Sequence, residues 1–183
     1  MKLELTHLQD CFIIKEDVFE DSRGYFMETF NQKQFNALTN LDLEFVQDNQ
    51  SRSSKGVLRG LHFQIGESAQ AKLVRVLEGA VLDVAVDLRK DSPSFGRHIE
   101  IELTSDNHKQ LFIPAGFAHG FVVLSDFATF FYKVDKYYHP GNESGIVYND
   151  IDLNIDWKIP VHNLKLSEKD KSLGTFKDLL NSM

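Results

Sequence analysis

The sequence predicts an all-β protein, a barrel or sandwich of the jelly-roll type with short peripheral helices. Three observations carry that prediction. Apolar residues alternate with period two in several short stretches, turn formers separate those stretches, and helical patterns are few and brief. The clearest stretch is Val81-Leu82-Asp83-Val84-Ala85-Val86-Asp87-Leu88. Leu82, Val84, Val86 and Leu88 share one face, and Val81, Asp83, Ala85 and Asp87 the other, as in a strand with one side in a core. Further strands are expected at 57–64, 72–79, 98–104, 109–113, 119–124 and 128–134. Turns fit Glu78-Gly79, Asp91-Ser92-Pro93-Ser94-Phe95-Gly96 and Pro114-Ala115-Gly116. A short helix over 31–38 has Asn31 as its N-cap. Ser167-Glu168-Lys169-Asp170 reads as a capping box, and 176–180 as a last amphipathic turn or two. Near the N-terminus, 24–30 is strand-like and is expected outside the central barrel or exchanged with a partner subunit.

The 183 residues suit one domain spanning 1–183, and no repeat, low-complexity tract or linker interrupts them. A hydrophobic fraction of 42% with fifteen Phe excludes a disordered main body. The net charge of -7 argues against nucleic-acid or anionic-membrane partners, while a few local arginines can still hold an anionic small ligand. Cys11 is the only cysteine, so no intramolecular disulfide can form, and its apolar neighbours point to an inert thiol. Without a signal sequence or a membrane-spanning apolar run, a soluble cytoplasmic protein is expected.

Chemistry-bearing residues concentrate in two stretches. The first is Gly56-Val57-Leu58-Arg59-Gly60-Leu61-His62-Phe63-Gln64 with Lys72 soon after; the second is Ile113-Pro114-Ala115-Gly116-Phe117-Ala118-His119-Gly120-Phe121. An imidazole moves protons near neutral pH and fixed cations hold a developing enolate, which suggests carbon-acid chemistry. Alternation puts Gly60, His62 and Gln64 on one strand face, opposite Leu61 and Phe63. The competing reading of His62 is a hydrogen-bonded structural histidine. Arg59 has the wrong parity to join His62 unless the strand bends at Gly60. Lys72 shares a face with Val74 and Val76, as an edge cation or an oxyanion stabiliser. Tyr132, between Phe130 and Val134 by parity, is a core aromatic or a proton donor in a dry cavity. Asp170 either closes the box on Ser167 or orients His62, a role for which Asp83 competes. Metal-binding barrels carry two histidines at i and i+2, but here the second is Gln64, so His62 and His119 remain and the chain reads as metal-free. Phosphate-loop and dinucleotide fingerprints are absent, and no cofactor is expected.

Several further stretches carry a resemblance. They are Asp21-Ser22-Arg23-Gly24-Tyr25-Phe26-Met27-Glu28, Gln47-Asp48-Asn49-Gln50-Ser51, 56–64 and Lys72-Leu73-Val74-Arg75-Val76. Others follow at 83–89, Ser92-Pro93-Ser94-Phe95-Gly96, 113–121, Tyr132-Lys133, Tyr137-Tyr138, Glu143 and Leu166-Ser167-Glu168-Lys169-Asp170. In number and order they make the chain resemble the dTDP-4-dehydrorhamnose 3,5-epimerase family over nearly its whole length. Two positions depart from the family pattern: Phe63 stands where many relatives have Tyr, and Lys158 rather than Pro follows Trp157.

The resemblance implies a metal-free, cupin-type jelly roll (a double-stranded β-helix) acting as a homodimer, with N-terminal residues contributing to the partner's site. Its substrate would be dTDP-4-keto-6-deoxyglucose. His62 would remove the proton beside the C4 ketone with Asp170 paired to it, Tyr132 would return a proton from the opposite ring face, and Lys72 would stabilise the enolate oxygen. Arg23, Phe26, Glu28, Gln47, Asp48 and Asn49 match substrate-contacting positions, as do Arg59, His119, Glu143 and Lys169. Tyr138 matches the aromatic that stacks on thymine. The implied reaction inverts C3 and C5 toward dTDP-L-rhamnose. A C3-only epimerase with the same catalytic set is the near alternative, and a metal-dependent cupin or a non-catalytic sugar-binding barrel are the more distant ones.

Overall fold

A computed structural model describes residues 1–182; Met183, the last residue of the expected 1–183 span, lies outside them. In chain order the strands are β1 (Lys2–Leu5), β2 (Phe12–Lys15), β3 (Phe19–Asp21), β4 (Gly24–Phe26), β5 (Gln47–Ser54), β6 (Leu58–Gln64) and β7 (Lys72–Glu78). They continue with β8 (Ala80–Asp87), β9 (His98–Thr104), β10 (Lys109–Ile113), β11 (Phe117–Val123), β12 (Phe127–Val134) and β13 (Glu143–Gly145). Helices are α1 (Gln32–Thr39), α2 (Glu168–Lys171) and α3 (Phe176–Ser182). Every strand expected from alternation is present, with ends displaced by one or two residues at most.

Two antiparallel sheets make the jelly roll. One has the order β1-β2-β10-β7-β12-β5, and the other β13-β6-β11-β8-β9. Their facing sides meet in a core of Val74 and Val76 from β7, Val81 and Ala85 from β8, Leu111 and Ile113 from β10, and Phe121 and Phe130 from β11 and β12. The cupin-type, all-β expectation therefore holds. Turns form where glycine was expected, and Gly79, Gly96 and Gly116 all take positive φ.

Alternation along β8 suggested one core face, whereas both faces are buried. Val81, Asp83, Ala85 and Asp87 look between the sheets, while Leu82, Val84 and Val86 pack beneath Ile146, Leu153, Trp157 and Phe176 of the C-terminal segment. That segment contributes no strand to the main pairing, so local periodicity gave no sign that it covers the sheet. The other sheet is covered in the same manner. Phe35 of α1 is fully buried with Leu73 and Phe112, and Phe30 and Phe45 pack around it. Burying such a ring contributes about 2–3 kcal/mol. Asn31 caps α1 as expected, its Oδ1 accepting from Gln34 N at 3.1 Å.

Strand β5 is not among the expected strands; it pairs with β12 from Gln47↔Val134 to Ser54↔Phe127. Its residues, Gln-Asp-Asn-Gln-Ser-Arg-Ser-Ser, contain no apolar side chain to reveal a strand period. The strand-like region after residue 23 is shorter than expected. Only Gly24–Phe26 is extended, paired with β3 in a two-stranded ribbon separate from both sheets. Among the described residues no helix is long and apolar enough to cross a membrane.

The loop between β8 and β9 hangs on one buried carboxylate. Asp87, with no exposed surface, accepts from Arg89 Nη2 at 2.9 Å, Ser92 Oγ at 2.5 Å and Ser94 Oγ at 2.6 Å. Burial pushes its carboxyl upward, but hydrogen bonds from Arg89, Ser92 and Ser94 outweigh it and hold the group at about 2. A lowered carboxyl stabilises the fold fully above the unfolded value of 3.8 and ceases to as pH falls through about 2. Asp87→Ala is therefore expected to cost about 3 kcal/mol in urea unfolding at pH 7, because it leaves the Ser92 and Ser94 hydroxyls and two Arg89 guanidinium N–H groups without their acceptor, while Arg89 keeps its ion pair with Asp10. The difference between variant and parent should shrink as the pH of the unfolding experiment is lowered from 4 to 2.

Candidate active site

Strands β6 and β11 pair with a one-residue slip that builds the site. His119 faces His62, and Phe121 faces Arg59, so β6 spends three steps where β11 spends two. The extra residue is a β-bulge, and it turns Arg59 onto the same face as His62. Gly60 sits in it at φ +112°, and a Cβ there would lie 2.6 Å from Gly120 Cα. A Cβ on Gly120 would in turn lie 2.7 Å from Arg59 O. Only glycine fits both strands at this crossing. The bend at Gly60 that Arg59 required is thus present.

The bulged face lines a cavity of about 700 Å³, a size suited to a small-molecule ligand. His62, Arg59, Lys72, His119 and Tyr132 all border it, as do Asn49, Tyr138, Glu143, Lys169 and Asp170. Six strands, a loop and a short helix supply these side chains. Phe121 and Phe130, stacked at 4.1 Å between centroids, form its apolar wall.

Two imidazoles face each other across the β6–β11 pair, each tied to its own carboxylate. His62 Nε2 donates to Asp170 Oδ1 at 2.6 Å, and His119 Nε2 donates to Asp83 Oδ2 at 2.9 Å. The choice between Asp170 and Asp83 as the partner of His62 falls to Asp170. Ser167 still caps α2, accepting from Asp170 N at 3.1 Å, but the Asp170 carboxylate turns into the cavity rather than back onto the cap. With Nε2 occupied, Nδ1 is the His62 nitrogen available to a ligand. Burial holds His62 below the ordinary imidazole value, opposed by the charge and hydrogen bond of Asp170. A neutral ring at pH 7 can accept a proton.

Lys72 is not the edge residue that a cation beside Val74 and Val76 first suggests. Strand β7 lies inside its sheet, between β10 and β12, and the ammonium projects into the cavity. Burial pushes it down to about 8, with Asp83 and Glu143 working in the other direction. It makes no hydrogen bond or ion pair among the described residues, so its donors remain for a ligand. Burial raises the Tyr132 phenol, keeping it protonated and able to donate.

A polar cluster closes one end. Tyr138 Oη donates to Glu143 Oε2 at 2.6 Å, and Lys169 Nζ meets the same oxygen at 2.6 Å. Burial pushes Glu143 up, but the bonds from Lys169 and Tyr138 hold it below the usual carboxylate range. Gln47 stands behind this wall, donating to Asn49 Oδ1 at 2.8 Å and accepting from Tyr138 N at 3.4 Å. Gln64 turns its Oε1 to His139 N at 3.0 Å. Among the described residues no three His, Cys, Asp or Glu side chains are grouped as a metal site needs.

Comparison with known proteins agrees with this architecture. The family model described as dTDP-4-dehydrorhamnose 3,5-epimerase matches residues 5–178. The chain belongs to that family. The dTDP-4-dehydrorhamnose 3,5-epimerase of Escherichia coli (strain K12) is 52% identical over 180 residues, covering 98% of this chain and 97% of its own. A crystal structure of the Elizabethkingia anophelis enzyme superposes with a TM-score of 0.94 at 57% identity, covering 97% of each chain. The Legionella pneumophila 3,5-epimerase, crystallised with dTDP-4-keto-L-rhamnose, gives 0.92 at 45% identity, covering 96% of this chain and 93% of that one.

Five expected contacts lie outside the cavity of their own chain: Gln47, which stands behind its wall, and four more. Asp48 points to the opposite side of β5 from Asn49 and pairs with Lys133 at 2.9 Å, because adjacent strand residues face opposite ways. Arg23 and Phe26 project from the β3–β4 ribbon, the Arg23 side chain 88% exposed and bound to Asp21, Phe26 69% exposed. Glu28 is exposed and accepts from Gln34. Conversely, Phe121, Phe130 and Lys165 border the cavity and were not among the expected site residues. The two aromatics read as core, and nothing local to Lys165 marks it.

The His62–Asp170 bond has a measurable consequence. A carboxylate favours the imidazolium, so Asp170→Asn should lower the His62 titration midpoint, read from its ring-proton shifts by NMR. An unchanged or raised midpoint would contradict the pairing.

Proposed function

We propose that the protein is an isomerase that inverts C3 and C5 of dTDP-4-keto-6-deoxy-D-glucose, giving dTDP-4-keto-L-rhamnose. The observation that carries this reading is the grouping of a carboxylate-paired imidazole, an unpaired ammonium and a partly buried phenol around one cavity. In a family of 3,5-epimerases that set meets each requirement of the reaction. His62 Nδ1 takes the proton from the carbon beside the C4 ketone, and the C–H pair moves to form the enolate. Lys72 stabilises the negative charge that collects on the C4 oxygen. Tyr132 donates a proton to the opposite face of the same carbon, collapsing the enolate to the inverted ketone. His62 then releases its proton to solvent and Tyr132 regains one, and repetition at the second carbon completes the reaction with no net oxidation. A positioned base contributes roughly 10²–10⁴-fold, and each well-placed oxyanion donor about 3 kcal/mol.

Arg59, Asn49, His119, Glu143 and Lys169 hold the nucleotide-sugar, and Tyr138 stacks on the thymine. Cationic Arg59, Lys72, Lys165 and Lys169 at one cavity explain how a chain of net charge -7 takes a diphosphate. The working form is a homodimer in which Arg23, Phe26 and Glu28 complete the partner's cavity. Support for this comes from the ribbon that carries two of them, which stands apart from both sheets with its aromatic residue exposed.

Incubation with dTDP-4-keto-6-deoxyglucose in D₂O, followed by NMR, tests the reaction. Deuterium is expected at both C3 and C5; deuterium at C3 alone would replace this reading with a C3-only epimerase, and none at either carbon would remove it. His62→Ala should lower turnover by at least ~10³-fold while dTDP affinity stays within about twofold. Tyr132→Phe should retain much of the C–H exchange yet lose inversion, because removal and return of the proton use different faces. Parallel loss of exchange and inversion would deny Tyr132 a separate donor role.

A further inference from the structure

Asp83 is a buried charge that the proposed chemistry does not use. It has no exposed surface, and it accepts one hydrogen bond, from His119 Nε2 at 2.9 Å. Its second oxygen, Oδ1, is buried with no hydrogen-bond partner. Its cross-strand neighbours are Phe121 and Ile101, which offer it no side-chain donor. A carboxylate in such a place costs several kcal/mol of solvation that one hydrogen bond does not return. An amide or an apolar residue would satisfy packing at lower cost, so the negative charge itself needs a reason.

We propose that Asp83 is a positioning residue of the proposed epimerase, one carboxylate that fixes the His119 ring and holds Lys72 as a cation inside the cavity. The inference rests on the epimerase reading and adds to it. By occupying Nε2, Asp83 leaves Nδ1 as the His119 nitrogen available to the sugar, and Phe130 stacks on the ring at 6.0 Å to hold its plane. Lys72 projects into the same cavity without a direct partner, so it depends on charges at a distance.

The groups that border this cavity around Lys72 are His62 and Arg59 of β6, His119 of β11, Tyr132 of β12 and Glu143 of β13. Two anions act on the ammonium, Asp83 and then Glu143, and both oppose the burial that drives it down to about 8. Glu143 already binds Lys169 and Tyr138, and Asp170 is engaged with His62. Asp83 is the anion among these whose second oxygen is fully buried with no partner. Salt-bridging Lys72 directly would quench it; placing the counter-charge behind His119 keeps it cationic with its donors open to an enolate.

Asp83→Asn conserves size and can still accept from His119 Nε2, so it removes the charge and little else. The expected result is a basic limb of the kcat profile displaced about one unit toward lower pH, with dTDP affinity within about twofold of the parent. Direct titration of Lys72, by NMR of ε-¹³C-lysine with the resonance assigned by its loss in Lys72→Arg, should move in the same direction. A purely structural Asp83 would lower the melting temperature and leave both midpoints in place, which would overturn the proposal. Asp83→Glu, which keeps the charge, should restore the Lys72 midpoint even where the ring is displaced and kcat falls. If Asp83→Asn does not fold, Asp83→Ser carries the same comparison. Parent protein that exchanges no deuterium would sink the epimerase reading alone, and the Lys72 titration would still decide this one.

Discussion

One extra residue in β6 governs the site. Between His62 and Arg59 the strand advances three residues against two in β11, and the surplus is absorbed where Gly60 crosses Gly120. Without the bulge, parity would send Arg59 to the far side of the sheet from His62. With it, a proton-transfer group and a guanidinium border one cavity, while Leu58 and Leu61 remain in the apolar packing of the outer face. The same slip sets His62 opposite His119, so two imidazoles meet across a single pair of strands.

Placing that much polarity inside a barrel requires apolar packing elsewhere to be complete. Both sheets are covered on their outer faces, one by α1 with its aromatic neighbours and the other by the C-terminal segment. The C-terminal cover also brings α2 to the cavity, where Ser167 caps the helix and Asp170 reaches His62. Stability and chemistry are thus joined in one segment. The chain that seals the apolar back of β8 and β6 also delivers the carboxylate for the imidazole on the front.

Electrostatic roles in the cavity follow from which charges are paired and which are left open. His62 and Glu143 have direct partners that fix them, whereas Lys72 does not. Burial alone would drive a proton off Lys72, and nearby anions oppose it. Polar atoms without partners are concentrated here rather than spread through the fold: Gln64 Nε2, which borders the cavity, and Asp83 Oδ1 are the two buried side-chain atoms unpaired among the described residues.

Much of this was legible in the amino-acid sequence. Alternation at Val81 to Leu88 and in its neighbours defined the strands, glycines marked the turns, and the order of short motifs pointed to the family and its acid–base residues. These signals are local, because strand period and turn chemistry depend on residues a few positions apart. Strand β5 escaped, since its wholly polar sequence has no apolar alternation to read; one of its faces borders a polar cavity. Asp170 and Asp83 were indistinguishable as partners for His62, because the first lies 108 residues away and the second belongs to a different strand pairing. Asp48 and Asn49 are adjacent in the chain and face opposite sides of the sheet, a difference that only the register of β5 on β12 decides. The sequence by itself determined which residues could do the chemistry and which segments would be strands. Tertiary structure alone decided which of them share a cavity, because that depends on a bulge, a register and a distant covering segment, none of which has a local signature.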